Sequence, residues 1–126
     1  MYCIVLYYLY ICARNNYKMK VENTKAQMRK GILEYCILTV LSKKEAYPSE
    51  IIKELKEAKL IVVEGTLYPL LTRLKNAGIL QYNWVESASG PPRKYYSLTE
   101  LGSEFNLELK NTWNELYTAV NLISKT

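Results

Sequence analysis

Arg93 and Lys94 stand side by side directly after Gly90-Pro91-Pro92, and Arg73 and Lys75 are interleaved with Thr72 and Asn76 at the end of a leucine-rich run. Cations and small hydrogen-bonding side chains of these types neutralise phosphates and read the edges of bases. The Gly-Pro-Pro stretch stiffens the chain ahead of the cation pair, so both charges are offered with little ordering left to do. Taken alone, the pair fits a solubilising loop slightly better, and its placement in the fold has to decide.

Other chemistries lack their raw material. The 126-residue chain has no His, and all 12 acidic residues are Glu. Triads that use His, zinc sites built on His and Asp-rich calcium loops are therefore excluded. Cys3, Cys12 and Cys36 form an odd set without a C-x-x-C pair. That argues against a disulfide framework or a four-thiolate zinc site and fits a reducing cytoplasm. Cys36 lies in an apolar run and reads as a small buried thiol. With no His or Asp to act as base for a Tyr or Cys nucleophile, the sequence calls for no enzyme, no metal and no cofactor. The net charge of +5 and pI of about 9.0 favour a polyanionic partner, and 49% hydrophobic residues suffice for a single core.

The elements that must hold the cations follow from periodicity. Gln27 to Leu41 carries one apolar row of Met28, Ile32, Tyr35, Cys36 and Thr39 and a second of Leu33, Ile37, Val40 and Leu41, which predicts a helix buried on two sides. Pro48 suits the first position of a second helix, whose inner face is Ile51, Ile52 and Leu55. Leu67, Leu70, Leu71 and Leu74 predict a third helix within 64–77, stopped by Gly78, with Pro69 bending or delaying its first turn. The face opposite those leucines carries Thr72, Arg73 and Asn76 and no acid. From Leu80 the period changes to two: a hairpin turning at SASGPP, with Leu80, Tyr82 and Trp84 on its expected core face and Arg93 and Lys94 on the return strand. Thr99 caps a last helix reaching about Ile123, along which Phe105, Leu109, Trp113, Leu116, Val120 and Ile123 form a continuous seam.

Residues 2–12 stand apart. This uncharged, tyrosine-rich run is too short to span a membrane, and its composition predicts an aggregation-prone strand. The expectation is that Met19 is the true start and that residues 1–18 are an N-terminal extension from an upstream start codon. The alternative is a short membrane-surface or dimer-capping element.

Three helices followed by a hairpin give the order of a winged helix-turn-helix, in which the third helix enters the DNA major groove and the hairpin lies along the backbone or minor groove. The expected fold is mainly α with a small β-hairpin, comprising a winged helix-turn-helix at 19–98 and a C-terminal dimerisation helix at 99–126. The rival reading is a winged helix used as a protein–protein interaction module, which keeps the leucine core but needs no cationic wing. The two rows of the first helix and the seam of the last exceed what one small domain can cover, so a homodimer on an inverted-repeat promoter operator is expected.

EGTLYPLLTRLKNAGIL from Glu64 to Leu80, together with SGPPRKYYSLTELG from Ser89 to Gly102, resembles the PadR family of bacterial transcriptional regulators. The likeness spans roughly residues 19–124, and the single C-terminal helix is similar to the shorter members. Val63-Glu64 stands where Ser-Pro is common, and Pro48-Ser49 where a Gly-Tyr pair is common. The resemblance implies a dimeric repressor of promoters that binds double-stranded DNA. The DNA-facing positions carried over are Tyr47, Ser49, Thr66, Tyr68, Thr72, Arg73, Arg93 and Lys94. The dimer interface implied by the first and last helices takes in Met28, Ile32, Tyr35, Phe105, Leu109, Trp113, Leu116 and Val120. Some members bind flat aromatic compounds, and Trp113 is the one candidate here for stacking on such an effector.

Overall fold

The computed structural model describes residues 2–60 and 62–125. In chain order its elements are α1 (Tyr2–Lys43), α2 (Pro48–Glu57), α3 (Glu64–Asn76), β1 (Leu80–Ser87), β2 (Gly90–Leu98) and α4 (Glu100–Ser124). The fold is mainly α with a two-stranded antiparallel hairpin, the winged helix-turn-helix order. The chain divides into two compact units, Met1–Leu33 and Glu34–Thr126.

In the first unit every described residue is helical, including the run from Tyr2 to Cys12 that composition assigns to a strand. The reason is local. β-propensity expresses packing against a neighbouring strand, and among the described residues no strand pairs with this run. No Gly or Pro interrupts residues 2–30, and the Lys-, Glu-, Ala- and Gln-containing stretch from Lys18 onward propagates a helix at one backbone hydrogen bond per residue. Tyr7, Tyr8 and Tyr10 are exposed, as is Met28 at 70%. Among the described residues no helix is long and apolar enough to cross a membrane.

The second unit holds the core. Ile37 and Leu38 of α1, Ile51 of α2 and Leu67 and Leu71 of α3 are fully enclosed, with Val40, Leu41, Leu55, Leu74, Ile79 and Leu80 packed beside them. Of the two apolar rows read for the first helix, Ile37, Val40 and Leu41 are buried within one chain, while Tyr35, Cys36 and Thr39 are half covered. Burial pushes the Cys36 thiol above its ordinary value and keeps it protonated.

Local signals place the helix ends. Pro48 is the first residue of α2, and the Glu50 carboxylate accepts the Tyr47 N–H at 3.1 Å. α3 starts at Glu64 and runs through Pro69, so the later start expected from that proline is not observed. A proline here removes one interior N–H, which the buried leucine face outweighs. Both α2 and α3 end in the same six-residue device. Leu60 N–H donates to Leu55 O at 2.9 Å and Ile79 N–H to Leu74 O at 3.0 Å, each across a left-handed residue. In α3 that residue is Gly78 at φ 78°, but in α2 it is Lys59 at φ 66°.

The hairpin pairs Leu80 with Leu98, Tyr82 with Tyr96, Trp84 with Lys94 and Val85 with Arg93. Its turn is only Ala88-Ser89, so Gly90, Pro91 and Pro92 belong to β2 and not to the turn. The register slips between Val85 and Ser87, opposite the two prolines, because neither proline can donate to the ladder. The helix 1–2 linker adds a bridge on the far edge of β2, with Ala46 and Tyr96 exchanging backbone hydrogen bonds of 3.0 and 2.9 Å. Thr99 then fixes α4: its hydroxyl accepts from Gly102 N–H at 2.9 Å and reaches the Gly78 carbonyl at 2.6 Å. Gly102 lies so close to the Ile79 carbonyl that a Cβ there would clash with its oxygen.

A left-handed conformation costs a side-chain-bearing residue roughly 1 kcal/mol that glycine does not incur. Lys59→Gly is therefore expected to stabilise the protein by about that amount in urea unfolding. An unchanged or lowered midpoint would show that the Lys59 side chain itself supports the α2 terminus.

Candidate nucleic-acid interface

Burying Leu67, Leu71 and Leu74 turns the opposite side of α3 outward, and Thr66, Tyr68, Thr72 and Arg73 are all exposed. The Ala46–Tyr96 bridge brings the start of α2 against β2, and Tyr47 packs on Tyr95 with ring centroids 4.7 Å apart. Between the α2 start, α3 and the hairpin lies a cleft of about 440 Å³, lined by Tyr47, Pro48, Ser49, Tyr68, Thr72, Trp84, Pro92, Arg93, Lys94 and Tyr96. Six of the eight DNA-facing positions read from the sequence thus share one cavity, and its lining holds two cations and no carboxylate.

Both cations are held over aromatic rings. The Arg93 guanidinium lies 5.8 Å from the Tyr47 ring centroid. Lys94 Nζ lies 4.6 Å from that of Tyr82 and 5.5 Å from that of Trp84. Such contacts are worth roughly 0.5–1 kcal/mol at exposed sites, enough to restrict the side chains without neutralising them. Tyr96, at the floor, has its phenol pushed above the ordinary value by burial and, to a lesser degree, by Tyr82 and Tyr68. It stays a neutral hydroxyl throughout the physiological range.

Thr66 and Arg73 lie outside the cleft lining. Arg73 is ion-paired with Glu34 of α1 through one of its nitrogens, so a carboxylate competes with phosphate for part of the guanidinium. Glu34 had no role in the sequence reading, since pairs between distant elements leave no local pattern. Trp84 is the other departure: it is 61% exposed and not on a core face. Alternation correctly places Leu80, Tyr82 and Trp84 together, but only the base of that face is covered, with Leu80 buried, Tyr82 partly so and Trp84 projecting. A signal was available, because a short turn pairs Trp84 with Lys94, and a charged partner is foreign to a core face.

Along α4, Phe105 and Leu109 are half covered, whereas Leu116, Tyr117, Val120 and Ile123 are exposed. Trp113 is 38% exposed and sits 6.0 Å from Tyr117, ring centroid to ring centroid. Tyr35 of α1 is partly buried and Ile32 likewise.

This arrangement defines a winged-helix protein whose third helix and cationic hairpin face one space. Comparison with known proteins gives the family. The profile of the transcriptional regulator PadR-like family matches residues 37–108. A PadR-like transcription factor from Bacteroides fragilis is 64% identical, covering 81% of this chain and 99% of its own, with a TM-score of 0.69. A PadR-like transcriptional regulator from Bacillus cereus is 39% identical over 79% of this chain and 98% of its own, at TM-score 0.71. A PadR family transcriptional regulator from Eggerthella lenta is 31% identical, covering 87% and 96% respectively, at TM-score 0.73. The chain belongs to the PadR-like family and is a DNA-binding transcriptional regulator.

Glu34→Gln removes the carboxylate that engages Arg73. Stability should change by about 1 kcal/mol or less, because the Arg73 end of the pair is open to water and screened, although Glu34 is largely covered. Duplex binding at low salt should strengthen as Arg73 becomes free to approach phosphate. Unchanged affinity in a titration would leave Arg73 with a purely structural role.

Proposed function

We propose that the protein is a cytoplasmic homodimeric repressor that occludes promoters by binding an inverted-repeat operator through two copies of the cleft. The observation that carries this reading is the meeting of Tyr47, Ser49, Tyr68 and Thr72 with Arg93 and Lys94 around one acid-free cavity. Phosphate contacts from the wing and the start of α2 would supply affinity, and Thr66, Tyr68, Thr72 and Arg73 on α3 would supply sequence choice. Dimerisation is supported by the apolar seam of α4, exposed at Leu116, Val120 and Ile123 in the single chain. The proposed dimer interface takes in Phe105, Leu109 and Trp113 of the same seam, and Met28, Ile32 and Tyr35 of α1. Two half-sites about 34–36 Å apart would then match the two-fold symmetry. The half-exposed Trp113 ring is the proposed stacking surface for a flat aromatic effector that releases the DNA.

Light scattering at micromolar concentration is expected to report a dimer, and a monomeric mass would remove both the seam's role and the two-fold operator. For DNA, Arg93→Ala combined with Lys94→Ala should weaken binding across all sequences. It should also reduce the slope of log K against log salt by about 2, one unit for each lost phosphate contact. Footprinting of fragments selected from the source genome should show protected, inversely repeated half-sites. A doubly substituted protein that binds as the parent does would instead support a protein-interaction role for the wing.

A further inference from the structure

Trp84 is the largest side chain on the wing, yet it contributes nothing to the core: it is 61% exposed and stands on the cleft side of the hairpin. Its surroundings are specific. It is the cross-strand partner of Lys94, whose Nζ lies 5.5 Å from the indole centroid, and the Tyr82 ring stands nearly perpendicular to it with centroids 5.9 Å apart. An apolar ring of this size left in water gains nothing for folding, but it becomes favourable as soon as another surface covers it. The charges beside it select that surface, because Lys94 and Arg93 line the same cleft with no carboxylate among the lining residues. They favour a polyanion over an acid-poor protein face.

Resting on the reading of the cleft as the DNA-binding surface, we infer that Trp84 itself contacts the duplex, lying against the deoxyribose next to the phosphate that Lys94 neutralises. The geometry fits this division of labour. An ammonium held over an indole face can pair with a phosphate oxygen while the adjoining ring meets the sugar bonded to that phosphate. Tyr82 also holds Lys94, at 4.6 Å, so the ammonium keeps a ring contact even without Trp84. The indole therefore adds a non-ionic contact to an ionic one. The two differ in a measurable way, because only the ionic contact releases counterions.

The test is fluorescence anisotropy of a labelled operator duplex titrated with the full chain at several salt concentrations, for the parent, Trp84→Ala, Trp84→Phe and Lys94→Ala. Trp84→Ala is expected to weaken binding about tenfold at every salt concentration, giving a line parallel to that of the parent. Trp84→Phe should recover most of the loss. Lys94→Ala should instead flatten the salt slope by about 1. Parent-like affinity for Trp84→Ala overturns the inference. So does a slope flattened as in Lys94→Ala, which would make the ring only a holder of the ammonium. A salt-independent parent, or a Lys94→Ala protein indistinguishable from it, would overturn the reading of the cleft itself. Urea unfolding of each variant completes the comparison; losing surface ring contacts should leave the protein folded with only a small shift in midpoint, so a tenfold loss of binding reports on the interface.

Discussion

The enclosure of one face of α3 governs everything else in the second unit. Leu67 and Leu71 are wholly removed from water and Leu74 almost so, packed in the core that Ile37, Leu38 and Ile51 also fill. Each such side chain contributes roughly 1.5–3 kcal/mol, so the three together outweigh the roughly 3 kcal/mol that a proline costs inside a helix. With that face fixed, the rotation of the helix about its axis is fixed as well. Tyr68 and Thr72 therefore face outward as a consequence of leucine burial, and no polar interaction is needed to aim them.

Apolar burial is non-directional, and the position of the wing depends on a few polar joints instead. The Ala46–Tyr96 exchange fastens β2 to the linker before α2, which brings Tyr47 and Tyr95 together. The Thr99 hydroxyl joins the start of α4 to the carbonyls at the end of α3, and Gly102 permits the close approach to Ile79. Three segments distant in sequence thus meet at the base of the hairpin, and the cations at its far end inherit their orientation from there.

Signals carried by neighbouring residues were legible from sequence: the leucine spacing of α3, Pro48 opening α2, Gly78 ending α3 and Thr99 capping α4. They sufficed for the winged-helix order and singled out Tyr68, Thr72, Arg93 and Lys94 of the cleft lining, while Tyr47 and Ser49 came from the family resemblance. What escaped depended on which surfaces other elements cover. Alternation gives Trp84 a face but cannot say how far up the hairpin the core extends. The β-rich composition of residues 2–12 says nothing about whether a partner strand exists. The Glu34–Arg73 pair joins α1 to α3 across a gap in sequence that no periodicity spans. Lys59 escaped for another reason: the helix-ending motif demands a left-handed residue at that place, and the chain supplies one of the wrong type.

The two prolines of β2 have one more effect. A hairpin that protrudes from a globular body presents bare backbone along its rims, and such rims invite pairing with another molecule's strand. Pro91 and Pro92 offer no N–H to an incoming chain, and the register slip facing them breaks the regular ladder near the tip. The same residues that stiffen the cationic end therefore also blunt it as a template for intermolecular sheet growth. Molecules crowded onto neighbouring sites can lie with their tips adjacent and remain separate.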